Sequence, residues 1–383
     1  MIVAGVMSGT SADGINVALV RLLGRGYRTR LELLAHREFP YPAPVRRAVL
    51  GAMNATSVSV ADLSRLNFLL GELYADAILE TQRKAGAKAD LVGCHGQTLY
   101  HQGEPEAFLG RKVAATWQTG EASVIAARVG VPVVSDFRPS DIVAGGKGAP
   151  LVPFLDYMLY RHGTRGRIVQ NIGGIGNLSA IPAGATPEQV VAFDTGPGNM
   201  VIDAVTERLF EQRFDKDGKI AARGHALDNI VSEVLRASFF RRKAPKTAGR
   251  EQFGREFVDF LLQRCGRARK EDIVATATAL TSRSIGIAVR QVISSQDEKA
   301  AFREYLVSGG GARNRTLMSL IATELLPWRL KVRNTDEFGM PSDAKEAAAF
   351  AVLAYQTWLK LPSNVPSATG ARRTAILGKI TNA

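Results

Sequence analysis

The sequence predicts a duplicated α/β fold, two related domains with a cleft between them, and three observations carry that prediction. The chain opens with an extended stretch, a polar glycine-rich turn and a second extended stretch, and the same device returns at 167–181 as RIVQNIGGIGNLSAI. Each copy is followed by a further strand, a helix, a strand and a helix in the same order. The length, 383 residues, exceeds what one small core needs and suits two domains of roughly 150 to 200 residues.

Taken in order, residues 2–7 and INVALVRL at 15–22 read as strands flanking SGTSADG, and 31–39 is a third extended stretch. VRRAVLGAMN and the run from Val60 to Lys84 have helical spacing, and a short strand, DLVGCHG, follows. In the second half VVAFDTGPGN is strand and turn, MVIDAVTERLF is helical, and more helices run to about Ile293. EYLVSGG is a strand, and a helix starts at Ala312. EAAAFAVLAYQTWLK is apolar on all sides and predicts a core helix, with its leading Glu346 the exception. Pro/Gly punctuation at 139–153 marks the transition between halves. The expected domains are therefore 1–135 and 136–361, with the segment from about 362 to 383 able to return to the first.

Hydrophobic residues make up 46% and charged residues 22%, which excludes a disordered chain. The N-terminal apolar run ends at Met7, short of a signal peptide's apolar region, and no stretch approaches the ~20 apolar residues of a membrane span. A cytoplasmic protein with no membrane partner is expected. Cys94 and Cys265 have no CxxC spacing and read as buried reduced thiols, while His36, His95, His101, His162 and His225 never fall in an HxxxH pattern that would suggest zinc. The net charge is +13, but the basic clusters Arg21 to Arg30, Arg241 to Lys246 and Arg264 to Lys270 lack interleaved aromatics for stacking bases. They read as a solvated basic face, or as a field that draws in small anions, and not as a nucleic-acid surface.

Three glycine-rich loops directly follow apolar strands: VMSGTSADG, QNIGGIGN and LVSGGGARN. Glycine permits close backbone approach, successive N–H groups form a concave anion site, and Ser/Thr hydroxyls add donors. A polyphosphate needs these groups, although each loop by itself is equally a tight turn. No Walker A sequence exists, because the GGK at 145–147 is followed by Gly148, and no GxGxxG fingerprint occurs.

Together the loops resemble those of the actin, hexokinase and heat-shock-chaperone superfamily. That resemblance implies two domains of the actin-like ATPase (ribonuclease H-like) type with an interdomain nucleotide cleft. It implies ATP binding by Gly9, Thr10, Ser11, Ala12, Asp13, Gly14, Ile15 and Asn16 in a first phosphate loop. Asn171, Gly173, Gly174, Gly176 and Asn177 would form the second, and Gly309, Gly310 and Gly311 the adenosine loop. Asp13 would hold Mg2+ through water, since magnesium takes one or two carboxylates with waters and phosphate oxygens.

The resemblance narrows over MSGTSADGIN, CHGQT at 94–98, SDFRPSDIVAGGKGAPLVP at 135–153, NIGGIGN, FDTGPGN at 193–199 and VSGGGARN. In order and spacing, across nearly the whole chain, these resemble the 1,6-anhydro-N-acetylmuramic acid kinase family of peptidoglycan-recycling enzymes. The family resemblance implies that water opens the anhydro ring while ATP phosphorylates the 6-oxygen, giving N-acetylmuramic acid 6-phosphate and ADP. Asp194 falls at the family's catalytic aspartate. By its own surroundings, at a strand end before a glycine-rich turn and a helix, it suits a general base or equally a helix cap.

For the sugar, Asp136, Arg138 and Asp141 offer mixed charges, with the planar fork of Arg138 matched to a lactyl carboxylate. A salt bridge internal to that loop is the alternative. His95 and Gln97 are expected to point into the cleft, unless His95 is a satisfied core histidine, and Glu346 reaches the sugar or caps its helix. Cys94 and His95 do not form a dyad, since strand neighbours point to opposite faces. Two positions depart from the family pattern: Asn16 stands where Asp is usual, and Lys147 where Gln is common. Asn16 keeps an oxygen, and Lys147 adds a cation near the sugar loop. The competing functions are a kinase or phosphatase of the same superfamily on another sugar or acid, and an ATP-driven conformational switch, for which the chain has no added domain. A homodimer is compatible with an enzyme of this size.

Overall fold

The structure is a computed structural model that describes residues 1–9, 12–53, 55–244, 246–296 and 300–383. The chain divides into two units, Met1–Met158 with Ala344–Ala383, and Leu159–Asp343.

The first unit begins with β1 (Ile2–Ser8), β2 (Gly14–Leu23) and β3 (Arg30–Pro40), followed by α1 (Ala43–Ala52) and α2 (Val60–Ala85). The long α2 is bounded as its sequence requires. The Ser59 hydroxyl accepts the Asp62 N–H at its start, Arg83 and Lys84 face the negative end of its dipole, and Gly86 closes it at φ 62°. Then come β4 (Leu91–Phe108), β5 (Arg111–Thr119), α3 (Ala122–Val129), β6 (Val133–Ser135) and α4 (Phe137–Val143), and α5 (Pro153–Tyr160) carries the chain out of this unit.

The second unit holds β7 (Gly166–Ile172), β8 (Ile175–Ile181), β9 (Val191–Pro197) and α6 (Asn199–Phe210). Four short helices follow: α7 (Asp228–Val234), α8 (Ser238–Arg241), α9 (Arg250–Phe253) and α10 (Arg255–Cys265). The long α11 (Lys270–Ser295), β10 (Phe302–Ser308), α12 (Arg315–Leu325) and β11 (Lys331–Asn334) complete it. The chain then returns to the first unit as α13 (Lys345–Trp358), α14 (Pro366–Thr369) and β12 (Lys379–Thr381).

The first sheet runs β12-β6-β4-β1-β2-β3 with β5 hydrogen-bonded to β4, and the second runs β11-β10-β7-β8-β9. In both, the first three strands are consecutive antiparallel neighbours. In both, the next two join in parallel beside the first of them. The cores β3-β2-β1-β4-β6 and β9-β8-β7-β10-β11 thus have one topology. The fold is two related α/β units of the actin-like, ribonuclease H-like type.

The division differs from the expected edges after 135 and 361, and the reason is tertiary. Helix α13 lies directly on the first sheet: a Cβ on Gly5 would sit 1.9 Å from Ala347 O, and one on Gly93 would sit 2.3 Å from Phe350 O. Only glycine admits a helix backbone that close. On β1 the alternate residues Ala4 and Val6 pack into a cluster with Leu70, Tyr74 and Ile78 of α2, so this sheet is covered on both faces. Lys345 and Asp156, both almost fully buried, form an ion pair at 3.0 Å that fixes the start of α13. The expected short strand at DLVGCHG is instead an 18-residue strand that turns through Leu109 and Gly110, both at positive φ, into β5.

Candidate active site

In the first unit, β1 stops at Ser8 and β2 starts at Gly14, so the intervening loop lies at the carboxyl end of a strand, where α/β sheets bind ligands. Ser8 Oγ lies 2.7 Å from Gln97 Oε1, 2.8 Å from Tyr41 Oη and 3.0 Å from Gly14 O, and Tyr41 Oη lies 3.1 Å from Tyr74 Oη. Gln97 Nε2 donates to Gly9 O at 3.1 Å. Burial pushes both phenols above their ordinary range, so this buried network stays neutral.

Gln97 is fully buried with both ends of its amide engaged. It braces the loop, which corrects the expectation of a side chain turned toward the sugar. Ala12 sits at φ 52° with its N–H on Gly9 O at 3.1 Å. Ala12 and Ile15 bury their side chains in the core and leave only backbone for a ligand. Thr10 and Ser11 lie outside the described residues. Asp13 is exposed, with Arg46 Nη2 at 3.3 Å, and Asn16 Oδ1 meets His36 Nε2 at 3.0 Å.

A second cluster in this unit gathers His95, Arg138 and Glu346. His95 is buried against Phe350, ring centroids 4.5 Å apart; its Nδ1 lies 2.8 Å from Gly96 O, and its Nε2 accepts from Arg138 Nε at 3.0 Å. That geometry makes the imidazole neutral, with the proton on Nδ1. Burial and the Arg138 charge hold its pKa well below the ordinary value, as such a tautomer needs. Arg138 Nη1 donates to Gly148 O at 2.9 Å, which leaves Nη2 as the donor neither bond uses. Burial lowers the Arg138 pKa to about 10, while Glu346 and Asp141 oppose the shift. Glu346, half-buried in the first turn of α13, has its carboxyl pushed up by burial, against Lys345 and Arg138.

Asp141 does not join this cluster. It is fully buried, and its carboxylate accepts from Gly148 N, Asn364 Nδ2 and Thr369 Oγ1, each at 2.8 Å. Its role is to tie the loop at 144–148 to the returning chain, which corrects the expectation that it touches sugar. Asp136 sits at φ 54° with its carboxylate 2.9 Å from Lys379 Nζ, and both line a hollow of about 230 Å3 shared with His95 and Trp117. Lys147 pairs with Glu104 at 2.6 Å and bonds backbone to backbone with Thr369, so its extra cation is spent on the β4 arm.

In the second unit the tight turn Gly173–Gly174 meets the start of α6: Gly198 N and Asn199 N donate to Gly174 O and Gly173 O at 2.9 and 2.7 Å. A Cβ on Gly309, at φ 85°, would lie 2.6 Å from Asn171 Oδ1, and one on Gly311 would lie 2.3 Å from Ile172 Cγ2. Asn171, Gly173, Gly174, Gly309 and Gly311 are therefore brought together, with Gly310 beside Asn199. Gly176 packs on Thr195.

Asn177 and Asp194 are register partners on β8 and β9, so they share one face of the sheet. Asp194 is half-buried, and its Oδ2 accepts the Ala248 N–H at 2.7 Å. Burial raises its carboxyl to about 7; the Ala248 bond opposes this, Glu251 adds to it and Lys246 opposes it. A carboxyl with that pKa is a proton acceptor matched to neutral pH.

Sequence reasoning missed the surroundings of Asp194. Lys246, read as the end of a solvated basic run, is 3% exposed, and Arg242 lies over the Phe239 ring. The available signal was the pair Phe239–Phe240 just upstream, which supplies the aromatic wall. Cys94 and Cys265 are buried free thiols, as expected.

Glycine loops at strand ends in two like units are the arrangement of a phosphoryl-transfer enzyme. Residues 1–383 match the family described as anhydro-N-acetylmuramic acid kinase, and the chain belongs to that family. It is 45% identical over 391 residues to the anhydro-N-acetylmuramic acid kinase of Caldanaerobacter subterraneus subsp. tengcongensis, covering 99% of this chain and 96% of that one. It is 43% identical over 384 residues to the enzyme of the same name from Bacillus cereus (strain ATCC 10987 / NRS 248), covering 100% and 99%. The chain is a kinase.

Proposed function

We propose that the protein uses ATP to phosphorylate O6 of 1,6-anhydro-N-acetylmuramic acid while water opens the anhydro bridge, giving N-acetylmuramic acid 6-phosphate and ADP for peptidoglycan recycling. Water adds to C1, the C1–O6 bond breaks, and O6 takes the γ-phosphoryl group. The observation that supports this most is Asp194. Its half-buried carboxylate, with one oxygen fixed by Ala248, is ionised in much of the population at neutral pH and accepts the proton of the attacking water.

On the sugar, Arg138 binds the lactyl carboxylate through Nη2, held in place by His95 and Gly148, and Glu346 binds a ring substituent. Asp136 stays an outer sugar contact in this reading. For ATP, the loops at 9–16 (Thr10 and Ser11 included), 171–177 and 309–311 supply the backbone and polar groups. Phosphoryl transfer depends mainly on such positioning.

Mg2+ fits the donor set. Asp13 is an exposed carboxylate beside a glycine loop, its contact with Arg46 is a weak surface pair, and it would hold the ion through water. Bound there, Mg2+ neutralises phosphate charge. We assign the reaction to the cytoplasm, which supplies ATP; no helix among the described residues is long and apolar enough to cross a membrane.

Turnover with ATP and the anhydro sugar in 18O-water tests the chemistry. One 18O at the anomeric carbon of a 6-phosphorylated product is expected, and label appearing in inorganic phosphate overturns the reading. The pH dependence of kcat/KM for the sugar should show an acidic limb at about 7, below which activity falls about tenfold per unit as Asp194 protonates.

A further inference from the structure

The segment from Lys246 to Ala248, between α8 and α9, brackets Asp194 with two backbone groups. Lys246 O accepts the Asp194 N–H at 3.0 Å, and the Ala248 N–H donates to Asp194 Oδ2 at 2.7 Å. The side chain of Lys246 roots this bracket. Its Nζ donates to Phe239 O at 3.2 Å and lies 4.8 Å and 5.3 Å from the ring centroids of Phe239 and Phe193. Phe193 immediately precedes Asp194 on β9, so the ammonium grips from the core face the same strand that presents the carboxylate on the other. A buried ammonium costs several kcal/mol unless hydrogen bonds and ring faces replace its water. An apolar side chain would fill the site at lower cost, so the charge itself calls for a role.

We propose that Lys246 is a positioning residue for Asp194: its buried ammonium anchors the 246–248 clamp, fixes the carboxylate and favours the carboxylate's ionised form. This rests on Asp194 being the base. Among the described residues, the charged groups around the pair are Glu251 on α9, which raises the Asp194 pKa, and Arg242 after α8, which with burial draws Lys246 down to about 8.

The test reads the acidic limb of kcat/KM for the sugar in full-length variants. Lys246→Met should raise that limb by about half to one unit, because an opposing charge has gone, and lower kcat by about tenfold. The KM for ATP should stay within about twofold. Lys246→Arg, which keeps the charge, should leave the limb at its wild-type position. A folded Lys246→Met enzyme with wild-type kcat and limb overturns the proposal. If that variant does not fold, Lys246→Gln decides, since it retains a donor for Phe239 O while deleting the charge: a raised limb supports the role and an unmoved limb overturns it. Asp194→Asn separates the two levels. An active Asp194→Asn enzyme removes the base assignment itself, whereas an inactive one with no limb shift in the Lys246 variants removes only the present inference.

Discussion

The first unit places a fully buried carboxylate at Asp141, and the second places a half-buried one at Asp194. Asp141 lies on α4 just after β6, and Asp194 lies within β9. Among the described residues, Asp141 receives three donors at 2.8 Å, whereas Asp194 receives one backbone N–H and has Glu251 nearby. Three donors satisfy an anion and make it structural. One donor fixes the orientation and leaves a lone pair to take a proton, at a cost in stability. The number of donors and the access of water together separate a carboxylate that holds the fold from one that can react.

The largest effect should come from Asp194→Asn, which is expected to lower kcat by about 10^3-fold while ATP binding, measured calorimetrically, changes less than about twofold. The same variant should be more stable above neutrality. The folded-state pKa of about 7 lies above the unfolded value, so the stability carried by the protonated form is full below pH ~4 and lost as pH rises through about 7. Urea titrations at pH 8 should show a gain of up to roughly 4 kcal/mol, an upper bound for a half-buried group, and one that vanishes near pH 4. If Asp194→Asn destabilises at pH 8, the contrast between the two carboxylates fails.

Next, Asp141→Ala should cost about 3 kcal/mol, seen as a lower urea midpoint, because it strands three buried donors. Arg138→Lys should have the smallest effect. It is expected to raise the sugar KM about tenfold with kcat within about threefold and ATP KM unchanged, since an ammonium cannot keep the fork held by His95 and Gly148.

Much of this was legible in the sequence. The two strand–turn–strand openings declare themselves by alternation around glycine, and α13 declares itself by uninterrupted apolarity. Asp194 reads as the close of a strand before a glycine turn, although β9 runs on past it to Pro197. Other features are invisible to local pattern. β6 and β12 are three residues each, and β5 reads RKVAATWQT with little alternation. Asp141 and Gln97 resemble ligand-binding residues in composition, and their partners, Asn364 and Thr369 in one case and Ser8 and Gly9 in the other, come from distant positions. Lys246 sits in a basic run that hydropathy assigns to water, while two phenylalanine rings claim it for the interior.

The glycine-lined bed that Gly5 and Gly93 prepare for α13 has a consequence for biosynthesis. The helix that fills it is translated some 200 residues after Met158, a wait of roughly 10 to 40 s at typical ribosome speeds. Through that interval the nascent first sheet carries a bare apolar face, and the intervening unit has time to fold alone. Ribosome stalling before residue 345 would therefore yield chains whose opening segment is a chaperone client, while the middle segment is already protease-resistant.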